Sequence, residues 1–300
     1  MEGTEIKMTD LKFKPVEAED MKVLAPYFGL RPNKTCDSVP LDSFIWRKYY
    51  HVRYAIHENK ALLWLMKEDG VMHSAMPLCK EEDLKKYFDM TVEYFNQVLH
   101  IPFKIYLADE EAIEFLHLKE SEDFVVTEQE DLKDYLYDGE AMRKLSGKKL
   151  HKKKNHLNAF LKEYEGRYEF RRLCCSDRDD VWRFLDRWRE RKGDEVEEHL
   201  DYEVEGIHEI LKQCLDLDIR MSGVYIDGKL EAFTIGSYNQ AENMAVIHIE
   251  KANPEIRGLY QFINQQFLVQ EFPNVTLVNR EDDLGQEGLR HAKMSYNPCG

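Results

Sequence analysis

Two acid–base side chains lie two positions apart in a segment whose pattern predicts a β-strand. The alternation from Met244 to Glu250 places His248 and Glu250 on one face of that strand. A half-buried carboxylate beside an imidazole can accept a proton from an attacking amine or hydroxyl, a step that acyl transfer requires. We therefore take Glu250 as the candidate catalytic base, with His248 beside it. The alternatives are that Glu250 pairs with Lys251 or Arg257 and that His248 fills a core position.

A basic segment precedes this strand. Between residues 141 and 162 there are eight lysines and arginines and no acidic residue, although the chain has a formal net charge of −15. Leu150, Leu157 and Leu161 form one stripe, which predicts a helix from Lys148 to Tyr164 anchored by that face. Its polar side chains suit the phosphates of a donor, and the candidates are Lys148, Lys149, Lys152, Lys153, Lys154, Asn155 and His156. A solvated surface helix explains the same composition equally well. Lys154 falls within the apolar stripe and is expected to snorkel or to point into a groove.

A run of polar residues follows the next predicted strand. These residues are Asn279, Arg280, Glu281 and Asp282. Acidic residues at this position can cap the following helix and offset its dipole, which is a sufficient structural reason for them. Arg280 beside the carboxylates could also orient the amino and carboxylate groups of an acceptor substrate. Arg290 and Lys293, three residues apart on the last helix, are expected to face the same groove.

The second half of the chain has a legible order of elements. Two strands are joined through Asp227-Gly228, the strongest hairpin signal in the sequence. The strand with His248 follows, then a loop and a helix from Gly258 to Phe272, a strand to Asn279, and a final helix. This order resembles the GCN5-related N-acetyltransferase fold, in which the loop and helix start after the long strand hold donor phosphates. Arg257 and Gly258 occupy that loop here, although Gly258 could simply begin the helix.

The first half is predicted to be a mixed α/β unit. Helical spacing is found at residues 16–28, 84–99 and 110–118, and strand patterns at 61–66, 103–107 and 124–127. The glycines Gly139 and Gly147 bracket the expected crossing between domains. We therefore predict an α/β fold of two tandem acetyltransferase-like domains, residues 1–140 and 141–300, with the basic helix in the second.

Composition limits the class of protein. The hydrophobic fraction of 43% predicts a globular chain, and the net charge argues against a protein wrapped in nucleic acid or lying flat on an anionic membrane. Apolar runs such as Ala61 to Met66 are far shorter than the roughly 20 residues that a membrane helix needs. The six cysteines contain no C-x-x-C pair, so neither a metal site nor a disulfide framework is expected. These features predict a cytoplasmic protein with reduced thiols.

Several longer blocks resemble those of a bacterial family, the C-terminal synthase domain of phosphatidylglycerol lysyltransferases. The blocks are residues 147–158, 248–252, 279–285 and 289–296, with supporting matches at 134–137 and 231–236. The resemblance covers nearly the whole chain. It implies two tandem acetyltransferase-like domains and a metal-independent transfer of an amino acid from aminoacyl-tRNA to a lipid or peptidoglycan precursor. Full-length lipid lysyltransferases carry membrane helices ahead of this domain.

Together these observations predict an acyl- or aminoacyltransferase that requires no cofactor. The donor is expected to be aminoacyl-tRNA, ahead of acetyl-CoA, and the acceptor an amine or hydroxyl on a small molecule, lipid or peptide. Direct attack within a ternary complex is expected, because no cysteine or serine nucleophile with a partnering base is evident. The alternative is a ligand- or tRNA-binding protein without catalysis, built on the same scaffold.

Overall fold

The chain divides into two compact units in a computed structural model that describes residues 11–192 and 198–300. The first unit comprises Met1–Asn33 and Ser43–Glu128, and the second comprises Lys34–Asp42 and Gln129–Gly300. The sequence places the division after residue 140 instead. The difference arises because residues 136–138 pair as a strand with residues 277–279, which ties them to the second unit.

The first unit is built on a four-stranded antiparallel sheet in the order β1-β2-β3-β4. The strands are β1 (Lys14–Pro15), β2 (Arg53–His57), β3 (Ala61–Glu68) and β4 (Val71–His73). The helices in this part of the sequence are α1 (Met21–Phe28), α2 (Pro40–Ile45), α3 (Leu84–Glu93) and α4 (Glu110–Phe115). A π-helical turn, Tyr94–Val98, extends α3. The predicted strand at residues 61–66 and the three predicted helices are therefore present.

Two predicted strands of the first unit are wrong. Residues 103–107 and 124–127 form no strand, although Ile105 makes one isolated bridge to Ser74. Their aromatic side chains pack edge-on against α3 instead, with Phe103 and Phe124 each 5.4 Å from the ring centre of Phe88. Because the packing of these rings already buries the apolar side chains, the two segments do not need to pair as β-strands to do so.

The second unit contains a six-stranded mixed sheet in the order β5-β10-β9-β8-β7-β6. The strands are β5 (Leu136–Asp138), β6 (Tyr168–Arg172), β7 (Arg220–Ile226), β8 (Lys229–Asn239), β9 (Met244–Ala252) and β10 (Leu277–Asn279). The helices are α5 (Gly139–Lys144), α6 (His151–Glu163), α7 (Arg178–Lys192), α8 (Glu198–Gln213), α9 (Leu259–Glu271) and α10 (Glu287–Met294). β9 and β10 run parallel, and the other neighbouring strands are antiparallel.

Local signals predict the hairpin of this unit and miss some short elements. Asp227 and Gly228 both have positive φ, 49° and 80°, which is the backbone of a tight β7–β8 turn. The sequence does not predict β5, β6 or α5, because three to six residues carry too little periodicity. The basic helix begins at His151 and not at Lys148.

The core of the second unit lies between the sheet and helices α6 and α9. Phe160 of α6 and Phe262 of α9 are buried, with ring centres 4.6 Å apart. The fold class, a mixed α/β protein, is therefore as predicted. Within the part of the chain that the structure describes, no helix is both long and apolar enough to span a membrane.

The two helices meet at Gly258, which precedes α9 with φ of +83°. A Cβ atom at this position would lie 2.1 Å from the carbonyl oxygen of His156 in α6. Gly258→Ala is therefore expected to lower the free energy of unfolding by about 3–4 kcal/mol, from backbone strain and overpacking together. Gly228→Ala is the control, because Gly228 also has positive φ, +80°, but a Cβ atom there would have no neighbouring atom within 4 Å. This variant should lower the free energy of unfolding by only about 1–2 kcal/mol. Urea unfolding of both variants measures the difference, and equal losses would contradict the close packing.

A disulfide joins Cys175, ahead of α7, to Cys214, after α8. The expectation of reduced thiols is wrong for this pair. Cys174 remains a free, exposed thiol. The bond spans 39 residues of sequence, so Cys214→Ser is expected to lower the free energy of unfolding by about 2–4 kcal/mol.

Reduction provides the matching measurement. Dithiothreitol should destabilise the unmodified protein and Cys174→Ser by the same amount, and leave Cys214→Ser unchanged in urea unfolding. Equal unfolding curves for the unmodified protein with and without reductant would show that the bond does not form.

Candidate functional site

The candidate site lies where β9 and β10 separate. In their parallel pairing, Met244 lies opposite Leu277 and Val246 opposite Asn279, and the pairing ends there. Two side-chain contacts span the strands beyond this point, Glu250 with Arg280 and His248 with Glu281. We call these four residues the divergence site. Strand ends at such a point are where α/β folds commonly place their ligands.

A β-bulge orients the residues of β9. The β8–β9 register shifts by one residue at Gly236, and His248 is the extra residue on β9. Glu250 consequently faces α9, where it accepts a hydrogen bond from Asn264. His248 faces the other side of the sheet and contacts Ser237. The prediction that His248 and Glu250 share a face is therefore wrong, because a bulge changes the alternation of every residue beyond it.

On the α9 side, Glu250 and Arg280 form a largely buried ion pair, with side chains 8% and 14% exposed. Arg280 Nη2 donates to Glu250 Oε1 at 2.9 Å, and Asn264 Nδ2 donates to Glu250 Oε2 at 2.7 Å. The ionic partner of Glu250 is thus Arg280, and the alternative pairing with Lys251 or Arg257 is not the one observed. Arg280 Nη1 is buried and has no hydrogen-bond partner among the described residues. The guanidinium therefore retains a donor for a ligand oxygen.

Lys153 extends this group from the basic helix. Its Nζ lies 4.2 Å from the ring centre of Tyr296, and Arg280 Cζ lies 4.9 Å from the same ring centre. Burial and the charge of Arg280 lower the pKa of Lys153 below its ordinary value. Two cations thus share one aromatic ring, and Glu250 balances one of them.

The rest of the predicted donor residues are on the outer side of α6 or near it. Lys148, Lys149, Lys152, Lys154 and Asn155 are exposed, and His156 is half-buried. Lys154 is thus exposed and not directed into a groove, and Lys153 is the lysine that turns inward. Helix α6 is oriented so that the position of Lys153 faces Tyr296.

The loop predicted for donor phosphates has a structural use. Gly258 is buried against α6, as described above, while Arg257 is exposed. Gly258 therefore starts α9 and permits its contact with α6. Arg257 remains available at the surface of the same turn.

On the other side of the sheet, His248 bridges a serine and a glutamate. Its Nε2 lies 2.7 Å from Ser237 Oγ, and its Nδ1 lies 2.8 Å from Glu281 Oε1. Burial lowers the pKa of His248 to about 4 and raises the pKa of Glu281 well above its ordinary value. A serine with a partnering base is therefore present, contrary to the sequence analysis. Eleven residues and a bulge separate Ser237 from His248, so no local motif could reveal the pair.

Asn279 fixes the backbone that presents Glu281. Its side chain is fully buried, donates to Asp134 Oδ2 at 3.0 Å and to the carbonyl of Lys34 at 2.8 Å, and accepts from the amide of Glu281. Glu281 has φ of +59°, a left-handed conformation that costs energy for a residue with a side chain. The surrounding bonds therefore hold Glu281 against His248.

The other predicted acceptor residues make internal contacts. Arg290 pairs with Asp283, at 2.8 Å, and with Asp131, and its hydrogen bonds to Asp283 lower the pKa of that carboxyl to about 2. Lys293 Nζ donates to the carbonyl oxygens of Arg280 and Asp282. Asp282 Oδ1 accepts from the amide of residue 284. These residues stabilise the turn that carries Arg280 and Glu281.

Asp134 offers a test of this buried network. Burial raises its pKa to about 6, so charging it opposes folding as the pH rises from about 4 through 6. Asp134→Asn retains an acceptor oxygen for Cys36 and Asn279 and should increase the free energy of unfolding by about 2–3 kcal/mol at pH 7.5. The variant should gain almost nothing at pH 4. Urea unfolding across this range in the presence of EDTA gives the profile, and a pH-independent difference would contradict it.

The structure defines a mixed α/β protein, with the strand and helix order of the GCN5-related N-acetyltransferase fold in its second unit. The chain belongs to the family described as phosphatidylglycerol lysyltransferase, C-terminal, whose model matches residues 37–299.

Individual proteins are also similar to this chain. A conserved protein of unknown function from Bacteroides thetaiotaomicron is 25% identical, with a TM-score of 0.84 over 97% of this chain and 96% of that one. The structure of L-PGS from Bacillus licheniformis is 14% identical, with a TM-score of 0.65 over 93% of this chain and 89% of that one, and shows the shared fold. An uncharacterized protein of Mycoplasmoides gallisepticum is 27% identical over 224 residues, 74% of this chain and 70% of that protein.

Proposed function

We propose that this protein is an aminoacyltransferase that moves an aminoacyl group from aminoacyl-tRNA to an amine or hydroxyl acceptor. The family supports the reaction class, because its description is that of a lysyltransferase acting on phosphatidylglycerol. The acceptor is a small molecule, a lipid or a peptide. Acetyl-CoA is the competing donor.

The observation that carries the proposal is the continuity of positive charge from α6 to the divergence site. The exposed lysines of α6 lie on the same helix as Lys153, and Lys153 shares the Tyr296 ring with Arg280. A polyanionic donor bound along α6 would therefore place its end near Arg280 Nη1, the buried donor group that makes no hydrogen bond within the described residues. The basic helix is in this way linked directly to the strand ends.

The reaction needs a base and a place for the acyl ester. The acceptor nitrogen or oxygen attacks the ester carbon while its proton passes to a base, and the bond to the ribose oxygen then breaks as the base returns that proton to the departing oxygen. Glu250 remains our candidate base, because a carboxylate oxygen has two lone pairs and can accept more than the single bond it receives here from Arg280 or Asn264. Arg280 positions that carboxylate and faces the developing negative charge.

Binding of purified protein to mixed aminoacyl-tRNA at low and moderate salt is the first experiment. A triple variant with Lys149, Lys152 and Lys153 changed to Glu is the control. Salt-sensitive binding that this variant loses would support the proposal, and acceptors can then be screened with labelled aminoacyl-tRNA. No binding by the unmodified protein would contradict the proposed donor. Turnover that Glu250→Ala retains would contradict the proposed base.

A second function is favoured by the state of Glu250. Both of its carboxylate oxygens already accept hydrogen bonds, from Arg280 and Asn264. This arrangement also suits a protein that binds a tRNA or an anionic ligand without chemistry. Tight binding of aminoacyl-tRNA, with no loss of its aminoacyl group in the presence of any acceptor, would favour this second function.

A further inference from the structure

We propose that Asp42, His248 and Glu281 bind a divalent transition-metal cation. The site lies within the second unit, on the side of the sheet opposite Glu250 and Arg280. It includes two residues of the divergence site, but none of its donors takes part in a step of the proposed transfer reaction, and it departs from the expectation of a metal-free protein. Zn²⁺ and Mn²⁺ are the cations that this mixture of donors fits best.

The three donor groups converge. One ring nitrogen of His248 and one carboxylate oxygen each from Asp42 and Glu281 lie within 4.8 Å of one another. Ligands about 2.0–2.2 Å from one metal ion are separated from each other by about 3–4 Å. Small side-chain rotations therefore suffice to coordinate an ion, with water filling the remaining positions.

The histidine is oriented as a metal ligand would be. Its side chain is 1% exposed, and Ser237 Oγ holds Nε2 at 2.7 Å. Nδ1 is thereby the nitrogen directed at the carboxylates. A hydrogen-bonded partner on the second ring nitrogen is a regular feature of metal-binding histidines, because it fixes the tautomer and the ring plane.

The surroundings hold more carboxyl groups than cations among the described residues. Asp134 interacts electrostatically with both Asp42 and Glu281, and its Oδ1 is buried with no hydrogen-bond partner among the described residues. Lys293 is the nearby cation, but its Nζ is bonded to two backbone carbonyls. Buried carboxylates are stable when they are paired or coordinate a metal, and a divalent cation would satisfy this requirement.

Calorimetric titration of the EDTA-treated full chain with ZnCl₂ and MnCl₂ tests the site. We expect one ion per chain, and at least about a tenfold loss of affinity in His248→Ala and Glu281→Gln. Glu287→Gln is the matched control, because it removes an exposed carboxylate of the same unit that is outside the three donors. This control should bind as the unmodified protein does.

Two further measurements keep the result interpretable. Glu281→Gln preserves the shape of the side chain, so retained circular dichroism together with lost binding identifies a ligand and not a folding defect. Ser237→Ala should weaken binding less than removal of a ligand, and binding would still be observed. The proposal would be overturned if the unmodified protein bound neither ion one-to-one. It would also be overturned if His248→Ala and Glu281→Gln left the binding unchanged.

Discussion

Arg280→Ala is expected to reduce transfer activity by at least about a hundredfold and the free energy of unfolding by about 3–5 kcal/mol. The stability loss follows because Glu250 would remain buried without its ionic partner. The activity loss follows because Arg280 supplies the donor Nη1, which no described residue engages, at the divergence site. Urea unfolding and a labelled aminoacyl-tRNA transfer assay measure the two effects.

A double variant separates these two causes. Arg280→Leu combined with Glu250→Leu removes both charges, so its stability should recover most of the loss that the single change causes. Its activity should remain lost. Recovery of activity together with stability would show that the ion pair acts only as scaffold. An unchanged stability of Arg280→Ala would contradict the buried pair itself.

Lys153→Glu is expected to weaken aminoacyl-tRNA binding by about ten- to a hundredfold. A carboxylate at position 153 would approach Arg280 across Tyr296 and neutralise the charge that faces the donor. Lys154→Glu is the matched control, because this neighbour is exposed and should cost only a few-fold through lost phosphate attraction. The loss in Lys154→Glu should diminish as salt rises, whereas Lys153→Glu should remain impaired.

Filter binding at several salt concentrations measures both variants. Equal losses would mean that α6 binds through its outer face alone and that Lys153 has no special position. Normal binding by both would remove α6 from the donor site altogether.

Elements with long periodicity or strong turn chemistry are predictable in this chain. Helix α9 places Leu259, Phe262 and Ile263 on a buried face, as its spacing indicates. The β7–β8 hairpin follows from Asp227-Gly228, since both residues tolerate positive φ. The resemblance of the signature blocks indicates the family that the match over residues 37–299 confirms.

The side-chain partnerships of the site depend on events that no local pattern records. His248 is itself the extra residue in β9. The bulge places its side chain on the opposite face of the sheet from Glu250 and beside Ser237. The rotation of α6 decides that Lys153 and not Lys154 turns inward. Each is a shift of one residue, and its effect on the chemistry is complete because neighbouring side chains point in different directions.

The position of the segment Lys34–Asp42 in the sequence affects how the protein folds during synthesis and whether its two units can be expressed separately. It belongs to the second unit although the first unit surrounds it in sequence. Asp134 accepts a hydrogen bond from the amide of Cys36, and Asn279 donates one to the carbonyl of Lys34. Residues far apart along the chain therefore complete one hydrogen-bond network. During synthesis on a ribosome, the segment therefore emerges long before its partners and must wait for them. A shortened chain that starts at residue 129 would contain the six-stranded sheet without this segment, and no single cut of the gene separates the two units intact.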